Sequence, residues 1–404
     1  MISPKNILGG IFLIAGSCIG AAMLALPILS GVTGYVPSIF LTLVAWAFMT
    51  FTALLLVEAN GWFKSQINIV SISEKALGNT GRVLSWVLYL FLFYSLSVAY
   101  IISSGEIFSG ILRKFLNFSL DPQITSLFFV LVLGFVIYLG TKTVDFFNRY
   151  LMVGLIVTYV LMVFLGSFKI NAENLKTVNL KYLILPLPVL ITSFGFHNMI
   201  PTLTAYFDGD LKKMRKTVLG GSILSLFIYL FWQTVIIGIV PYDGEKGLLN
   251  SFLSGQEASS SLNHYLEGSF LGHVSQLFAF FAIITSFLAQ GLGLMHFIAD
   301  GMKVKPNRKN SHWLIFLTLI PPALFSLTYP EIFFKALGFA GGFCAVILFG
   351  ILPAIMVWIG RYKEKYFSSY HVKGGKLSLI LVVIFSAFLV FNEVLKILGV
   401  NLSA

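Results

Sequence analysis

Residues 190–207 read LITSFGFHNMIPTLTAYF and place a glycine, a histidine, an asparagine and a proline inside a long apolar run. In lipid, such an interruption of a helix exposes backbone N–H and C=O groups, which is tolerated only where protein or a water-filled cavity satisfies them. The ends of the two half-helices then present unpaired dipoles that can bind small charged groups. The stretch therefore predicts a broken membrane-spanning helix with a binding site at the break.

The first apolar run has a comparable interruption at residues 15–22, AGSCIGAA, followed by Pro27. Gly16 and Gly20 also have the spacing of a G-x-x-x-G helix-packing face, and a packing role is compatible with a break. Two interrupted spans about half a chain apart are typical of membrane proteins built from inverted structural repeats. The chain is therefore expected to contain such a repeat.

The composition excludes a soluble protein. The chain has 404 residues, of which 57% are hydrophobic and 11% are charged, and its mean hydropathy is +0.91. Charged residues make up about a quarter of a typical soluble domain. The two cysteines, Cys18 and Cys344, lie in apolar runs, so no disulfide framework is expected. The N-terminus resembles a cleaved signal sequence, but the apolar run continues past Cys18, which favours an uncleaved first span.

A helix needs about 20 apolar residues to cross a bilayer, and eleven segments of the chain approach this length. They are expected near residues 7–30, 34–58, 83–108, 124–140, 147–166, 183–206, 218–240, 273–298, 312–329, 333–359 and 377–397. Most of the 27 lysine and arginine residues lie inside if the N-terminus is cytoplasmic. The positive-inside rule therefore predicts a cytoplasmic N-terminus and an external C-terminus. The basic loop 361–376 is predicted to be inside and solvated.

The expected fold class is an all-α polytopic membrane protein with about eleven transmembrane helices. Residues 1–166 are predicted to form the first inverted repeat and residues 167–360 the second. Residues 361–404 would add a basic inner loop and the last span. The first and sixth spans then correspond, and they are the two broken ones, which is the arrangement of the LeuT-type fold.

Neither break contains Asp, Glu, Lys or Arg. A ligand there would meet helix-end dipoles and backbone carbonyls, which suits a zwitterion. Phe194 and Phe196 flank Gly195 and could clamp a flat apolar side chain, with ordinary packing as the alternative. The predicted substrate-binding residues are Gly16, Ser17, Cys18, Ile19, Gly20, Ala21, Tyr100, Thr192, Ser193, Phe194, Gly195 and Phe196.

Three further positions carry candidate chemistry. Tyr100 belongs to a face of the third span where hydroxyl and aromatic side chains recur at helical spacing, a pattern shared with packed cores. His197 is ionisable at membrane depth and is predicted either to carry a coupled proton or to make a structural hydrogen bond. Thr285 and Ser286, one turn after Ala282, offer hydroxyl and carbonyl oxygens to an alkali ion, although such hydroxyls often bond back to their own helix.

Residues 16–27, GSCIGAAMLALP, resemble the G-x-x-I-G-A-G-M-L-x-[LM]-P motif of bacterial aromatic amino acid permeases. Residues 187–197, LPVLITSFGFH, resemble the sixth-span signature of that family, and residues 231–233, FWQ, also fit. The resemblance covers essentially the whole chain and is closest to the tyrosine-specific branch. Ala22 stands where the motif has glycine, which adds a methyl group to the predicted pocket.

The resemblance implies a secondary transporter with the fold of the amino acid–polyamine superfamily. Such a protein imports aromatic amino acids across the bacterial cytoplasmic (inner) membrane by proton symport with alternating access. Tyrosine is the expected substrate, with tryptophan and phenylalanine as alternatives, and His197 is the candidate for proton coupling. The expected partners are the substrate, a coupling cation and the lipid bilayer, and no enzymatic activity, cofactor or nucleic acid is expected.

A second resemblance leaves the coupling ion open. Gly16, Ile19, Ala282, Thr285 and Ser286 match the sodium site of neurotransmitter-type sodium symporters, where three carbonyls join two hydroxyls. The fifth span has no lysine that could replace the ion. Proton coupling is expected on family grounds. The alternatives are sodium-coupled symport of the same substrates, transport of another neutral amino acid and, more remotely, an integral-membrane enzyme.

Overall fold

The computed structural model describes residues 6–63, 69–116, 120–304 and 310–399. These residues are almost entirely helical, and their only β-type pairing is an isolated bridge between Gly34 and Val178. The helices are α1 (Ile7–Cys18), α2 (Ala21–Thr33), α3 (Tyr35–Asn60), α4 (Ile69–Leu116), α5 (Pro122–Tyr138), α6 (Thr141–Ser167), α7 (Leu187–Ser193), α8 (Met199–Tyr206), α9 (Leu211–Ile239), α10 (Leu248–Leu253), α11 (Ala258–Tyr265), α12 (Phe270–Gly301), α13 (Ser311–Thr328), α14 (Phe333–Phe339), α15 (Leu352–Tyr362) and α16 (Gly375–Ile397). A π-helical segment, Ala340–Ile351, joins α14 to α15.

The helices are long and apolar enough for a multi-pass membrane protein. By length and composition, seven of the helices in the described ranges could each cross a bilayer, as could α14, the π-helical segment and α15 taken together, and α1 with α2 forms one further bent span. The 17-residue helix α5 and the interrupted stretch from α7 to α8 are shorter pieces. The number of eleven spans and the division into two repeats stay predictions. Several helices begin ahead of their predicted starts: α4 at Ile69 against 83, α9 at Leu211 against 218, and α6 at Thr141 against 147. An Arg149–Asp145 ion pair of 2.6 Å lies in the polar first turns of α6.

The first break lies where it was predicted. α1 ends at Cys18, Ile19 and Gly20 are extended, and α2 leaves at an angle of 62°. α2 continues through Pro27, which has no N–H to give to the carbonyl of Met23 four residues earlier. The indole Nε1 of Trp232 donates to that carbonyl oxygen at 2.9 Å. A side chain of α9 thus satisfies the backbone group that the proline leaves free.

The second break also lies inside the predicted stretch. α7 ends at Ser193, the backbone leaves the helical conformation at Phe194 and Gly195, and a short 3₁₀ turn leads into α8. α7 packs along the π-helical segment, where a Cβ at Gly341 would overlap the carbonyl oxygen of Pro188. The bare backbone of Gly341 therefore permits this close approach.

Most residues of the basic loop after α15 are exposed, and the loop is anchored to α3 at Arg361 and Val372. Arg361 donates from Nε and Nη2 to the Glu58 carboxylate at 2.6 and 2.5 Å, and Val372 N donates to the same carboxylate at 2.7 Å. The Nδ1 atom of His371 lies 3.1 Å from it. Glu58 is fully buried at the end of α3, so this pair fixes the loop and α15 to α3.

Candidate functional site

The two breaks face one cavity of about 360 Å³. The first helix pair, α7, α4 and α12 supply most of its wall. The predicted site residues that line it are Gly16, Ser17, Cys18, Ile19, Gly20, Tyr100, Thr192, Gly195, Thr285 and Ser286. The structure therefore brings residues from distant parts of the chain to one place.

Six of the predicted site residues lie away from the cavity lining. They are Ala21, Ser193, Phe194, Phe196, His197 and Ala282. Phe194 is fully buried with its ring centroid 4.9 Å from that of Tyr229, and Phe196 packs against the His197 ring at 5.6 Å. Both phenylalanine side chains point into the protein core, whereas the bare backbone of Gly195 faces the cavity.

Other rings line the cavity in their place. Tyr89 and Phe93 come from the face of α4 that the sequence marked as a core or pocket wall, and Phe349 comes from the π-helical segment. Nothing in the sequence distinguished Phe349 from the other phenylalanines. Ala22, the departure from the family motif, also lines the cavity, so its methyl group occupies space there.

At the first break, Gly20 is the point of closest approach. A Cβ at Gly20 would lie 2.8 Å from the Tyr100 hydroxyl oxygen and 3.1 Å from Ser286 Oγ. The Ser286 hydroxyl donates to the carbonyl oxygen of Ile19 at 2.8 Å. A Cβ at Gly16 would only reach Met152 Cε at 3.5 Å, which is an ordinary contact. Of the two motif glycines, Gly20 is therefore the one whose missing side chain the structure requires.

The carboxyl-terminal ends of α1 and α7 are joined by one side chain. The buried hydroxyl of Tyr229 lies 2.6 Å from the carbonyl oxygens of both Cys18 and Ser193. Helix ends leave such carbonyls without intrahelical donors. Because a phenol has a single proton, the two carbonyls share it, and each keeps acceptor capacity.

The cavity is polar without being charged. The residues that line it include no Asp, Glu, Lys or Arg. The Gln290 amide donates to the Phe93 carbonyl at 2.7 Å and to Ser97 Oγ at 3.1 Å, so its orientation is fixed. Tyr89 Oη and Asn148 Oδ1 are buried at the wall and have no hydrogen-bond partner within the described part of the chain. Unpartnered buried polar atoms of this kind are rare and are available to a ligand.

The predicted cation ligands lie close to one another. Thr285 Oγ1 donates to the carbonyl oxygens of Phe281 and Ala282 at 2.8 and 3.2 Å, and Ser286 Oγ is bonded to Ile19 O. Ser286 is therefore paired with a predicted carbonyl at the end of α1, whereas Thr285 is paired with a predicted carbonyl of its own helix. A bound cation would have to take over oxygens that these hydroxyls now occupy.

His197 is enclosed by the protein. Its Nε2 atom lies 2.9 Å from the Thr52 hydroxyl oxygen, and its ring stacks on Phe349 with centroids 4.6 Å apart. The Thr52 hydroxyl also donates to the Met49 carbonyl at 3.1 Å, so Nε2 is the nitrogen suited to carry the proton. Nδ1 has no partner among the described residues. The Phe349 ring that stacks on His197 also lines the cavity.

Interrupted helices around an uncharged cavity in a multi-pass membrane protein are typical of secondary transporters. The chain belongs to the tryptophan/tyrosine permease family, whose family model matches residues 3–393. This family consists of transport permeases and not of enzymes. The family resemblance drawn from the sequence is thereby confirmed.

Relatives in this family are similar along their whole length. The chain is 34% identical to the tyrosine-specific transport system 1 of Haemophilus influenzae over 389 residues, covering 93% of each chain. It is 33% identical to the tryptophan-specific transport protein of the same organism over 418 residues, covering 100% of this chain and 98% of the relative.

The fold is similar to that of a solved transporter. The crystal structure of MhsT in complex with L-phenylalanine matches with a TM-score of 0.66 over 96% of this chain and 98% of MhsT, at 14% sequence identity. This likeness concerns the fold, and it confirms the predicted LeuT-type helical class.

Proposed function

We propose that this protein imports aromatic amino acids, tyrosine first, across the bacterial inner membrane as a secondary active symporter. The observation that carries the proposal is the uncharged, ring-lined cavity at the meeting point of the two helix breaks. Family membership supports it, because relatives over the full length carry tyrosine- and tryptophan-specific names. The fold neighbour MhsT was solved with L-phenylalanine.

The two breaks suit the charged ends of an amino acid. The free N–H groups at the start of α2 and the Tyr100 hydroxyl would hold the carboxylate. The carbonyl ends of α1 and α7, which share one Tyr229 proton, would accept from the ammonium group. No charged side chain competes with either contact in the lining, so a ligand without net charge is favoured.

The walls of the cavity suit an aromatic side chain that carries a hydroxyl. The rings of Tyr89, Phe93 and Phe349 offer apolar contact. The unpartnered Tyr89 Oη and Asn148 Oδ1 would pair with the phenol of tyrosine. A site built to pair a substrate hydroxyl discriminates strongly against the analogue that lacks it. This feature favours tyrosine over phenylalanine.

Alternating access would use the two breaks as hinges. From the breaks, the cavity lining runs to Tyr89, Asn148 and Gly293, toward the bundle end that the lysine and arginine distribution predicts to be cytoplasmic. The N-terminus is proposed to lie in the cytoplasm and the C-terminus outside. In this arrangement the cavity of the present structure extends toward the inner side.

The coupling ion is proposed to be the proton, with His197, a histidine buried behind the cavity wall, as its carrier. Its ring contacts Phe349, so a change in its charge would act on a wall of the site. Sodium is the second candidate, and it is favoured by a specific observation. Ser286 donates to the Ile19 carbonyl at the first break, and Thr285 and Ala282, two more of the expected oxygen ligands, lie within about one turn of Ser286 on α12.

Uptake by the purified protein in liposomes tests the function and the ion together. Labelled tyrosine, tryptophan and phenylalanine are offered under a proton gradient alone and then a sodium gradient alone, with protein-free liposomes as the control. Tyrosine accumulation driven by the proton gradient is the expected result. Accumulation that follows only the sodium gradient would reverse the choice of ion, and no uptake of any aromatic amino acid would refute the function.

A further inference from the structure

Glu393 is a carboxyl group near the end of a candidate membrane span, and the site described above does not use it. It lies on α16, one turn before that helix ends at Ile397, and only 5% of its surface is exposed. Within the described ranges it forms no hydrogen bond and no ion pair. Ionisable groups inside membrane helices are costly, and those that persist usually serve function.

The Glu393 side chain rests on bare backbone of the helix beside it. A Cβ at Gly342 in the π-helical segment would lie 3.0 Å from Glu393 Oε2, and one at Gly338 would lie 3.2 Å from Oε1. A Cβ at Gly338 would also lie 3.3 Å from Lys396 Nζ. The two glycines thus leave room for the carboxyl, and the Lys396 ammonium group ends close to it.

The carboxyl also lines a cavity of about 650 Å³ whose wall is otherwise mostly apolar. The charged or titratable groups on that wall, from every helix that contributes to it, are few. They are Lys335 of α14, Lys396 of α16 and Tyr94 of α4, whose hydroxyl donates to the Leu317 carbonyl at 2.7 Å. α13 contributes only uncharged residues to the wall, Pro321, Pro322 and Phe325. On the neighbouring α15, the charged Arg361 is paired with Glu58.

This cavity adjoins a larger one, which lies at the predicted external end of the bundle. Ile332, Lys335 and Lys396 line both it and a cavity of about 710 Å³. The larger cavity lies at the end of the bundle where α7 begins, which the lysine and arginine distribution predicts to be external. Gly338, which Glu393 covers, also lines it. The larger cavity therefore comes within one residue of the carboxyl.

One layer of backbone separates Glu393 from the substrate site. Gly342 of the π-helical segment faces Glu393, and Gly341 of the same segment is pressed against Pro188 and the Thr192 hydroxyl of α7. Thr192 lines the substrate cavity. A change in the charge or hydration of the carboxyl would therefore act on the segment that supports the second break.

We propose that Glu393 is a proton-binding site of the transporter, loaded from the external side and coupled to the substrate site through the π-helical segment. The proposal rests on the proposed function, since it assigns a role within proton-coupled import. It is separate from the role proposed for His197, which contacts the same segment at Phe349.

The test compares Glu393→Gln, which keeps the shape and removes the proton, with Glu393→Asp, which keeps a carboxyl group. Glu245→Gln, a change of an exposed loop carboxyl, is the matched control. Two readouts are taken in liposomes. One is tyrosine accumulation driven by a proton gradient, and the other is tyrosine counterflow, the exchange of labelled for unlabelled tyrosine at equal concentrations inside and outside, which needs no net proton movement. Proton uptake on tyrosine addition is also measured with a pH-indicator dye in weakly buffered detergent solution.

The proposal expects Glu393→Gln to lose gradient-driven accumulation and tyrosine-induced proton uptake while counterflow remains measurable. Glu393→Asp should recover part of both, and Glu245→Gln should behave as the unmodified protein. If Glu393→Gln leaves both proton uptake and tyrosine accumulation unchanged, the proposal is overturned. It is also overturned if the unmodified protein accumulates tyrosine only on a sodium gradient. If the unmodified protein shows no tyrosine counterflow, the proposed function itself fails. If Glu393→Gln does not fold, an Asp variant that folds and accumulates no tyrosine overturns the proposal.

Discussion

The hydroxyl of Tyr229 lies 2.6 Å from the carbonyl oxygen of Ser193, the last residue of α7, and equally close to that of Cys18, the last residue of α1. One side chain of a continuous helix thus joins the two discontinuous spans where both of them stop. The carbonyls at these stops would otherwise be buried without donors, which is costly in a membrane interior.

Removing this hydroxyl should impair both folding stability and transport. We expect Tyr229→Phe to lower tyrosine uptake strongly, because each unsatisfied buried carbonyl costs about 1–3 kcal/mol and the breaks lose their common donor. Tyr159→Phe is the control, since it deletes a comparable bond of 2.8 Å to the Ile228 carbonyl, away from the breaks. Thermal unfolding and uptake are measured together. Equal loss of uptake in both variants would show that the bond is merely structural.

The cavity rings can be separated from the core rings by their effect on selectivity. Phe93→Ala should weaken tyrosine binding by about 1–3 kcal/mol, the scale for lost apolar burial and ring contact, with little effect on alanine as a competitor. Phe194→Ala should instead destabilise the fold by about 3–5 kcal/mol, because it empties a buried position against Tyr229. The measurements are competition binding and thermal unfolding. A selective loss of aromatic binding in Phe194→Ala alone would restore the ring clamp drawn from the sequence.

The buried pair of Glu58 and Arg361 should matter for stability. Removing one partner of a buried ion pair typically costs about 3–5 kcal/mol, so Glu58→Gln should lower the unfolding temperature clearly. Asp145→Asn breaks an exposed pair with Arg149, whose side chain is 76% exposed, and should cost at most about 1 kcal/mol. Unfolding is followed in detergent for both variants. Equal unfolding temperatures would contradict the assignment of Glu58 as an anchor of the loop 361–376.

The two ions can be told apart by charge and by oxygen ligands. If His197 carries a coupled proton, His197→Gln should keep exchange between equal tyrosine pools and lose accumulation driven by a pH gradient. The double variant Thr285→Val with Ser286→Ala should remove any dependence on sodium and spare the dependence on pH, because it deletes two hydroxyl ligands. Initial rates are measured with one gradient imposed at a time. Uptake that needs sodium at a clamped pH and disappears in the double variant would favour the sodium alternative.

The sequence allowed both helix breaks to be located because polar and glycine residues interrupt runs that are otherwise apolar. The motif residues at the breaks could be assigned to a site for the same reason, since their backbone was expected to face a cavity. The directions of Phe194 and Phe196 could not be predicted, because they depend on the irregular backbone angles at the break. The bond from Tyr229 and the Glu58–Arg361 pair, 303 positions apart, depend on how distant helices pack. Neither leaves a local pattern in the chain.

The central claim is that tyrosine binds between the two breaks, and equilibrium binding of labelled tyrosine to purified variants tests it most directly. Gly20→Ala should abolish saturable binding, because the added Cβ would lie 2.8 Å from the Tyr100 hydroxyl oxygen inside the cavity. Gly16→Ala, four residues earlier in the same motif, should retain it, because its Cβ would meet only Met152 at 3.5 Å. Unchanged tyrosine affinity in a folded Gly20→Ala protein would contradict the account.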